Sequence, residues 1–360
     1  MIYVLFALFL FALSYITLGA RKVRRQLYYP VLLSLFVFSA FRFQVGCDWS
    51  GYFFQYDAAD LVAVDLISEL NEPVWWIIVK LVKDLGLYYP VLNVISGAIF
   101  FGGVHVLARR QPDPLAFLIL LFPILIINMP MSGIRQGAAI GVMCVAFAAF
   151  IDRRPARYAL LVLLAGGFHT SALVFMALVP LAAGVYSPRR LVATGVLAIP
   201  GLLSLAGGYS GCLAATRYIG AGVDAFGAIF RVGAMLLTGL YFHYFLRGKW
   251  ARKYEADYSL VSLGSAGMAF AMLLLAVSSV IADRYAYFLI PIQAMIFARL
   301  PFFAFGERKW LHVAMPYAGL LIMFVGWTQA STLFDQCYLP YQTWIFGAPP
   351  GDILKEGMLE

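Results

Sequence analysis

Twelve long, almost uninterrupted apolar runs, separated by short clusters of Arg and Lys, leave this chain few ways to fold. They lie at about 2–19, 29–45, 90–108, 115–130, 134–151, 157–169, 171–186, 190–206, 227–246, 258–281, 285–300 and 311–328. A helix needs about 20 mostly apolar residues to cross a bilayer core. Inside that core every backbone polar group must be satisfied by the protein itself. The runs therefore predict an all-α, polytopic helical membrane protein with about twelve transmembrane helices in one integral domain, 1–360. A β-barrel is excluded, because its strands would alternate apolar and polar positions. Composition agrees: 12% of residues are charged, against about 25% in a soluble domain. The net charge of +8 does not point to nucleic acid, since the basic residues fall between apolar runs, as in cytoplasmic loops.

Those clusters set a topology. Arg21 to Arg25, Arg109 and Arg110, Arg153 to Arg157, Arg189 and Arg190, Arg247 to Lys253, and Arg308 and Lys309 all belong inside by the positive-inside rule. Both termini then lie outside. Residues 2–19 lack a preceding basic region and a following small-residue cleavage site, so they read as a first span and not as a cleaved signal. Segment 73–88 does not fit as a span. Lys80, Lys83 and Asp84 share a face, Trp and Tyr residues flank it, and crossing here would put Arg109 and Arg110 outside; it reads as an interfacial or re-entrant amphipathic helix. The outside stretches are 42–89, whose part from Arg42 to Glu72 carries six acids and after Arg42 no basic residue, then 207–226, and the tail 329–360.

With topology drawn from the loops alone, the unusual polar residues fall on the outer side. Arg135 lies in Ser132-Gly133-Ile134-Arg135-Gln136 between two apolar runs. An arginine near a bilayer core costs roughly 2.5 kcal/mol or more on insertion scales, and marks a functional site by default. Arg42, Arg217, Arg231 and Arg284 join it on the side the charge rule disfavours, with His169, Asp48 and Asp283 nearby in the sequence. One such arginine reads equally well as a snorkelling anchor. Five with a His and an Asp read better as an anion site. A guanidinium fork matches phosphate oxygens, and Ser132-Gly133 reads as a helix start whose free N–H groups add to the same field. A phosphate or pyrophosphate headgroup fits this arrangement. No Walker-type loop and no carboxylate cluster with metal-ligand spacing is present, so neither a nucleotide, a metal nor another cofactor is expected.

At these motifs the chain resembles the EpsG family. The matching residues are Phe-Arg-Phe-Gln-Val-Gly-Cys-Asp-Trp-Ser-Gly-Tyr at 41–52, Asn-Glu-Pro-Val-Trp-Trp at 71–76, Ser-Gly-Ile-Arg-Gln at 132–136, Phe-His-Thr-Ser-Ala at 168–172 and Asp-Arg-Tyr-Ala-Tyr-Phe at 283–288. Each is weak alone; the ordered set, spread over nearly the whole chain, is fairly specific. Cys47 departs from the small polar residue expected there. The resemblance implies a Wzy-type polysaccharide polymerase of the bacterial inner membrane, with its active site facing the periplasm, and leaves room for a GT-C-like architecture. It also implies undecaprenyl-pyrophosphate-linked oligosaccharides as substrates, with a flippase and a chain-length regulator as partners.

On this reading Arg135 and Arg284 stabilise the leaving pyrophosphate, and His169, then Asp48, is the base. Arg42, Ser132, Gln136, Arg217, Arg231, Asp283 and Tyr285 complete the binding set. Bland alternatives stand beside these roles: His169 as a hydrogen-bonded structural residue, and Asp48 as a partner of Arg42. Cys47, Cys212 and Cys337 lie outside, so one disulfide can form there, but an odd number defines no framework. Competing functions are a lipid-linked glycan ligase, which uses the same chemistry, a membrane acyltransferase, which needs inner-face residues not evident here, and a flippase, which would carry charges at mid-membrane.

Overall fold

The computed structural model describes residues 1–61, 71–184, 187–205 and 227–347. Helices account for nearly all of it, and there is no strand among the described residues beyond an isolated bridge between Arg42 and Thr343. In chain order the helices are α1 (Ile2–Ile16), α2 (Arg21–Ala40), α3 (Trp49–Asp57), α4 (Pro73–Asp84), α5 (Pro90–Ala108), α6 (Pro114–Leu121), α7 (Ile134–Ile151) and α8 (Pro155–Phe168). A 3₁₀-wound segment, Thr170–Leu181, follows. Then come α9 (Pro188–Leu205), α10 (Ala228–Tyr241), α11 (Arg247–Lys253), α12 (Glu255–Leu275), α13 (Ser279–Ala298), α14 (Lys309–Ala330) and the short α15 (Thr332–Tyr338).

Proline opens several of them. Pro73, Pro90, Pro114 and Pro155 occupy first-turn positions, where the missing N–H costs nothing and the fixed φ suits a helix. Pro123 sits instead in the π-wound continuation of α6, Phe122–Ile126, where a widened turn accommodates the absent donor. This helix is wrapped on all sides: Leu115 through Ile127 are buried without a break. With α7 and α13 it forms the centre, while α10, α12 and α14 expose large apolar side chains outward. α5 meets α7 backbone to backbone. A Cβ at Gly103 would fall 1.8 Å from the Gly141 carbonyl oxygen, and one at Gly141 would fall 2.5 Å from Phe100 Cα. Small residues at both positions let the helix axes close up, as packing inside a bilayer favours.

Each of the twelve apolar runs contains helix. Six helices among the described residues are long and apolar enough to cross a membrane: Pro90–Ala108, Ile134–Ile151, Ala228–Lys253, Glu255–Leu275, Ser279–Phe302 and Gly306–Ala330. Ile2–Ile16, Pro114–Ile126, Pro155–Phe168 and Thr170–Leu181 are apolar but shorter. The expected count of about twelve spans therefore rests on more than the helix lengths provide. Segment 73–88 is helical to Asp84 and turns at Leu85. It buries Trp75, Val79 and Val82 and leaves Ile77 and Leu81 exposed. Its Lys80 pairs with Asp84 at 2.9 Å, and Lys83 lies 3.7 and 3.6 Å from Asp57 and Asp60.

Charged side chains gather at the two ends of the bundle. At one end Arg24 bonds Asp113 at 2.7 Å and the Ser14 carbonyl at 2.5 Å, and Arg110 grips Asp152 with two bonds of 2.7 and 2.8 Å. Arg299 pairs there with Asp257 at 2.5 Å, between the rings of Trp250 and Tyr254. The other end holds Arg42, Glu72, Arg135, Arg231 and Asp283. Asp283 and Arg299 stand near opposite ends of α13, about 24 Å apart along its axis.

Candidate functional site

The loop after α2 is held from two sides. Gly46 has φ +106°, and a Cβ there would sit 1.9 Å from the Met131 carbonyl oxygen, so only glycine lets this loop lie against the 129–133 turn. The tail expected at 329–360 is no loose extension as far as Gly347. The Phe43 and Trp344 N–H groups donate to the carbonyls of Gln342 and Phe41, at 2.9 and 3.1 Å, and Gly46 donates to the Cys337 carbonyl at 2.7 Å. Cys47 and Cys337 form a disulfide, so the three outer cysteines do hold a pair. Cys212 lies outside the described residues.

Arg42 points inward. It is fully buried, and its guanidinium donates to the carbonyls of Val45 (2.9 Å) and Ser39 (2.8 Å) and to Asn93 Oδ1 (3.1 Å). All three nitrogens thus tie α2, the loop and α5 together, and the fully buried fork presents no edge to a ligand. Burial, opposed by nearby tyrosines, lowers its pKa. Asp48, the alternative partner suggested by the sequence, bonds Ser132 instead. The Asp48 N–H donates to Ser132 Oγ, and Ser132 Oγ donates to Asp48 Oδ2, each at 3.3 Å. Asp48 itself is exposed.

Arg135 meets a carboxylate that the sequence did not single out. Its Nη1 lies 2.5 Å from Glu72 Oε2, and its guanidinium stands 5.4 Å over the Tyr52 ring. Its Nε is buried and bonds nothing among the described residues. Glu72 is 8% exposed; its other oxygen accepts the Thr170 N–H at 3.2 Å. Burial raises the Glu72 pKa, while Arg135, the Thr170 N–H and Arg284 pull it down. Glu72 thus ties α4 and α7 to the turn after α8. Its one sequence signal was position, directly before a helix-opening proline in Asn-Glu-Pro-Val-Trp-Trp.

His169 caps the Thr170–Leu181 segment: its Nδ1 accepts the Ser171 N–H at 3.3 Å. In the neutral ring the proton then sits on Nε2. Burial, with Arg284 and Arg135 nearby, lowers its pKa well below the usual value. Gln136 Nε2 donates to the Arg284 carbonyl at 2.7 Å and fixes α7 to the start of α13. Asp283 takes the Arg231 fork in two bonds of 2.8 Å. Tyr285 is buried against Phe175 and Phe270, packing α13 and not facing the polar cluster. Arg217 and the loop 207–226 up to 226 lie outside the described residues. The structure thus brings Arg135, Glu72, His169 and Arg284 into one electrostatic cluster, with Asp48 and Ser132 beside it and Arg231 with Asp283 next along α13. No group of three or more His, Cys, Asp or Glu among the described residues is disposed to hold a metal.

A family model, that of the EpsG family, matches residues 25–343. That stretch contains every cluster residue just described. No curated protein and no solved structure is similar enough to the chain to match it.

Proposed function

The chain belongs to the EpsG family, the family of Wzy-type polysaccharide polymerases, and from that premise we propose that it joins lipid-pyrophosphate-linked oligosaccharide units at the periplasmic face of a bacterial inner membrane. The donor is a glycan on undecaprenyl pyrophosphate, and the acceptor is a second lipid-linked unit. An acceptor hydroxyl oxygen attacks the donor's anomeric carbon. The bond from that carbon to the phosphate oxygen breaks, and its electron pair leaves on the pyrophosphate. The hydroxyl proton passes to a base.

The observation that carries this reading is Arg135 held at a fixed angle by Glu72 inside the motif cluster. A prepositioned guanidinium costs no reorganisation as charge grows on the leaving oxygens. Arg284 completes the cradle from α13. The base role moves from His169 to Asp48. The His169 Nδ1 is occupied by a backbone N–H, so its Nε2–H is suited to donate a hydrogen bond to a sugar or phosphate oxygen. Asp48 is exposed and steered by Ser132, and a carboxylate within reach can take the proton. Two facts support the periplasmic side. The disulfide lies at this end, and disulfides persist outside the reducing cytosol; the Arg and Lys clusters lie at the other end, where the charge rule puts the cytoplasm.

The test is to incubate the purified protein with synthetic lipid-pyrophosphate-linked repeat units, without nucleotide sugar or metal. A ladder of longer glycans is expected, and Asp48→Asn should slow its growth by roughly 10²–10⁴-fold, the usual contribution of general-base catalysis. Transfer to a different acceptor without self-extension would favour a ligase, and exchange of unreacted lipid between leaflets would favour a flippase.

A further inference from the structure

An apolar groove opens beside the cluster, and we propose that it holds the polyprenyl chain of the lipid-linked substrate; this deepens the polymerase reading and rests on it. The groove lies between the π-wound end of α6, the first turn of α10 and the second half of α14. Its volume is about 410 Å³, within the range typical of ligand sites.

The lining is graded in polarity. Most of it is hydrocarbon and ring, including Phe324 and Trp327. The polar side chains are Asn128, Arg231 and Ser331. All three stand at the ends of their helices that face the cluster: Asn128 just past α6, Arg231 in the first turn of α10, and Ser331 just past α14. Phe230 and Ile322, 66% and 72% exposed, flank the opening, so it gives sideways onto the lipid phase. An amphiphile with one long hydrocarbon chain and a head at the level of Arg231 matches this grading.

The head would not be isolated there. Arg231 holds Asp283 in two bonds, and the next residue along α13 is Arg284, whose carbonyl is fixed by Gln136. A chain lying in the groove therefore emerges at the Arg231–Asp283 pair, on the same helix turn of α13 that carries Arg284 of the proposed pyrophosphate cradle. An ordinary phospholipid brings two chains to a single slot. The ring faces of Phe324 and Trp327 also suit a methyl-branched, unsaturated chain.

The experiment uses the full chain in lipid nanodiscs with an undecaprenyl phosphate probe carrying a diazirine near its head, and maps the crosslinks by peptide mass spectrometry. Labelling is expected on 227–231 and 322–331, displaced by undecaprenyl pyrophosphate and not by phosphatidylglycerol. Gly326 has open space where a Cβ would stand, so Gly326→Trp fills the groove without a backbone clash. It should abolish that labelling. It should also raise KM for the long-chain substrate roughly tenfold or more, because each displaced CH₂ weakens binding several-fold, while a geranyl-linked analogue is little affected. Labelling elsewhere, or equal displacement by phosphatidylglycerol, overturns the proposal. So does full labelling of Gly326→Trp. If Gly326→Trp fails to fold, the wild-type map alone decides. Labelling needs no turnover: groove labelling without glycan synthesis would sink the polymerase reading alone, and glycan synthesis without groove labelling would sink the groove alone.

Discussion

At the scale of single residues, two arginines show why charge in a sequence is not yet function. Arg42 and Arg135 both follow apolar runs, and both fall in family motifs. Arg42 turns into its own loop and spends its donors on two carbonyls and Asn93. Arg135 stays a quarter open and pairs with Glu72. Only chain geometry separates them, because the carbonyls of Ser39 and Val45 leave no mark in residue type. Glu72 was hidden for a similar reason. It is one of six acids in a loop, and its burial depends on α4 docking against the turn after α8. Arg135→Lys is expected to keep the fold and lower the rate of glycan extension by about 10²–10³-fold, since an ammonium cannot replace the fork at both Glu72 and a phosphate; a rate within a few-fold of wild type would remove Arg135 from the cradle.

His169 makes a pH prediction. Its folded pKa lies well below the usual value, so the ring is neutral when folded and more readily protonated when unfolded. Its contribution to stability is complete above about 6.5, the unfolded value, and is lost as pH falls from there through the folded pKa. Thermal melts in detergent should therefore show a stability loss below about pH 6.5 that is smaller in His169→Gln. An identical acid profile in the variant would mean that His169 is charged in the folded protein.

At the scale of elements, much was legible. Apolar runs located the helices, and basic clusters marked connections between them. The contact between α5 and α7 was not legible, since Gly103 and Gly141 are two of 32 glycines and only the fold shows that they meet. Gly141→Ala drives a methyl into the backbone at Ile99 and Phe100. Overpacking of this kind costs about 1–3 kcal/mol, occasionally more, and should appear as a clear drop in melting temperature, whereas Gly319→Ala, which faces open space, should melt like wild type. Helix length was the weaker guide. α1, α8 and the Thr170–Leu181 segment are shorter than an ideal span, so counting runs and measuring helices lead to different span numbers.

At the scale of the whole molecule, the first and last thirds close on each other. The Tyr3 hydroxyl donates to the Tyr338 carbonyl at 2.9 Å, and the disulfide joins residues 290 positions apart next to Asp48. An odd number of cysteines could not announce this pairing, because it depends on α15 folding back over the loop at 41–48. Breaking it with Cys47→Ser should lower stability by about 2–4 kcal/mol and slow glycan extension through the loosened Asp48 loop. Counting maleimide-reactive thiols before and after reduction checks the bond: two further thiols are expected on reduction, and an unchanged count would refute it.

The central claim is that this cluster forms glycosidic bonds at the expense of lipid pyrophosphate on the face opposite the basic loops. Proteoliposomes of defined orientation, supplied with lipid-linked repeat units on one side, test it most directly through the stoichiometry of lipid pyrophosphate release to new bonds. The account predicts one release per bond when substrate meets the disulfide-bearing face, with both slowed together by about 10²–10³-fold in Arg135→Lys. Bond formation only from the basic face, or lipid movement with no bond formed, would contradict it.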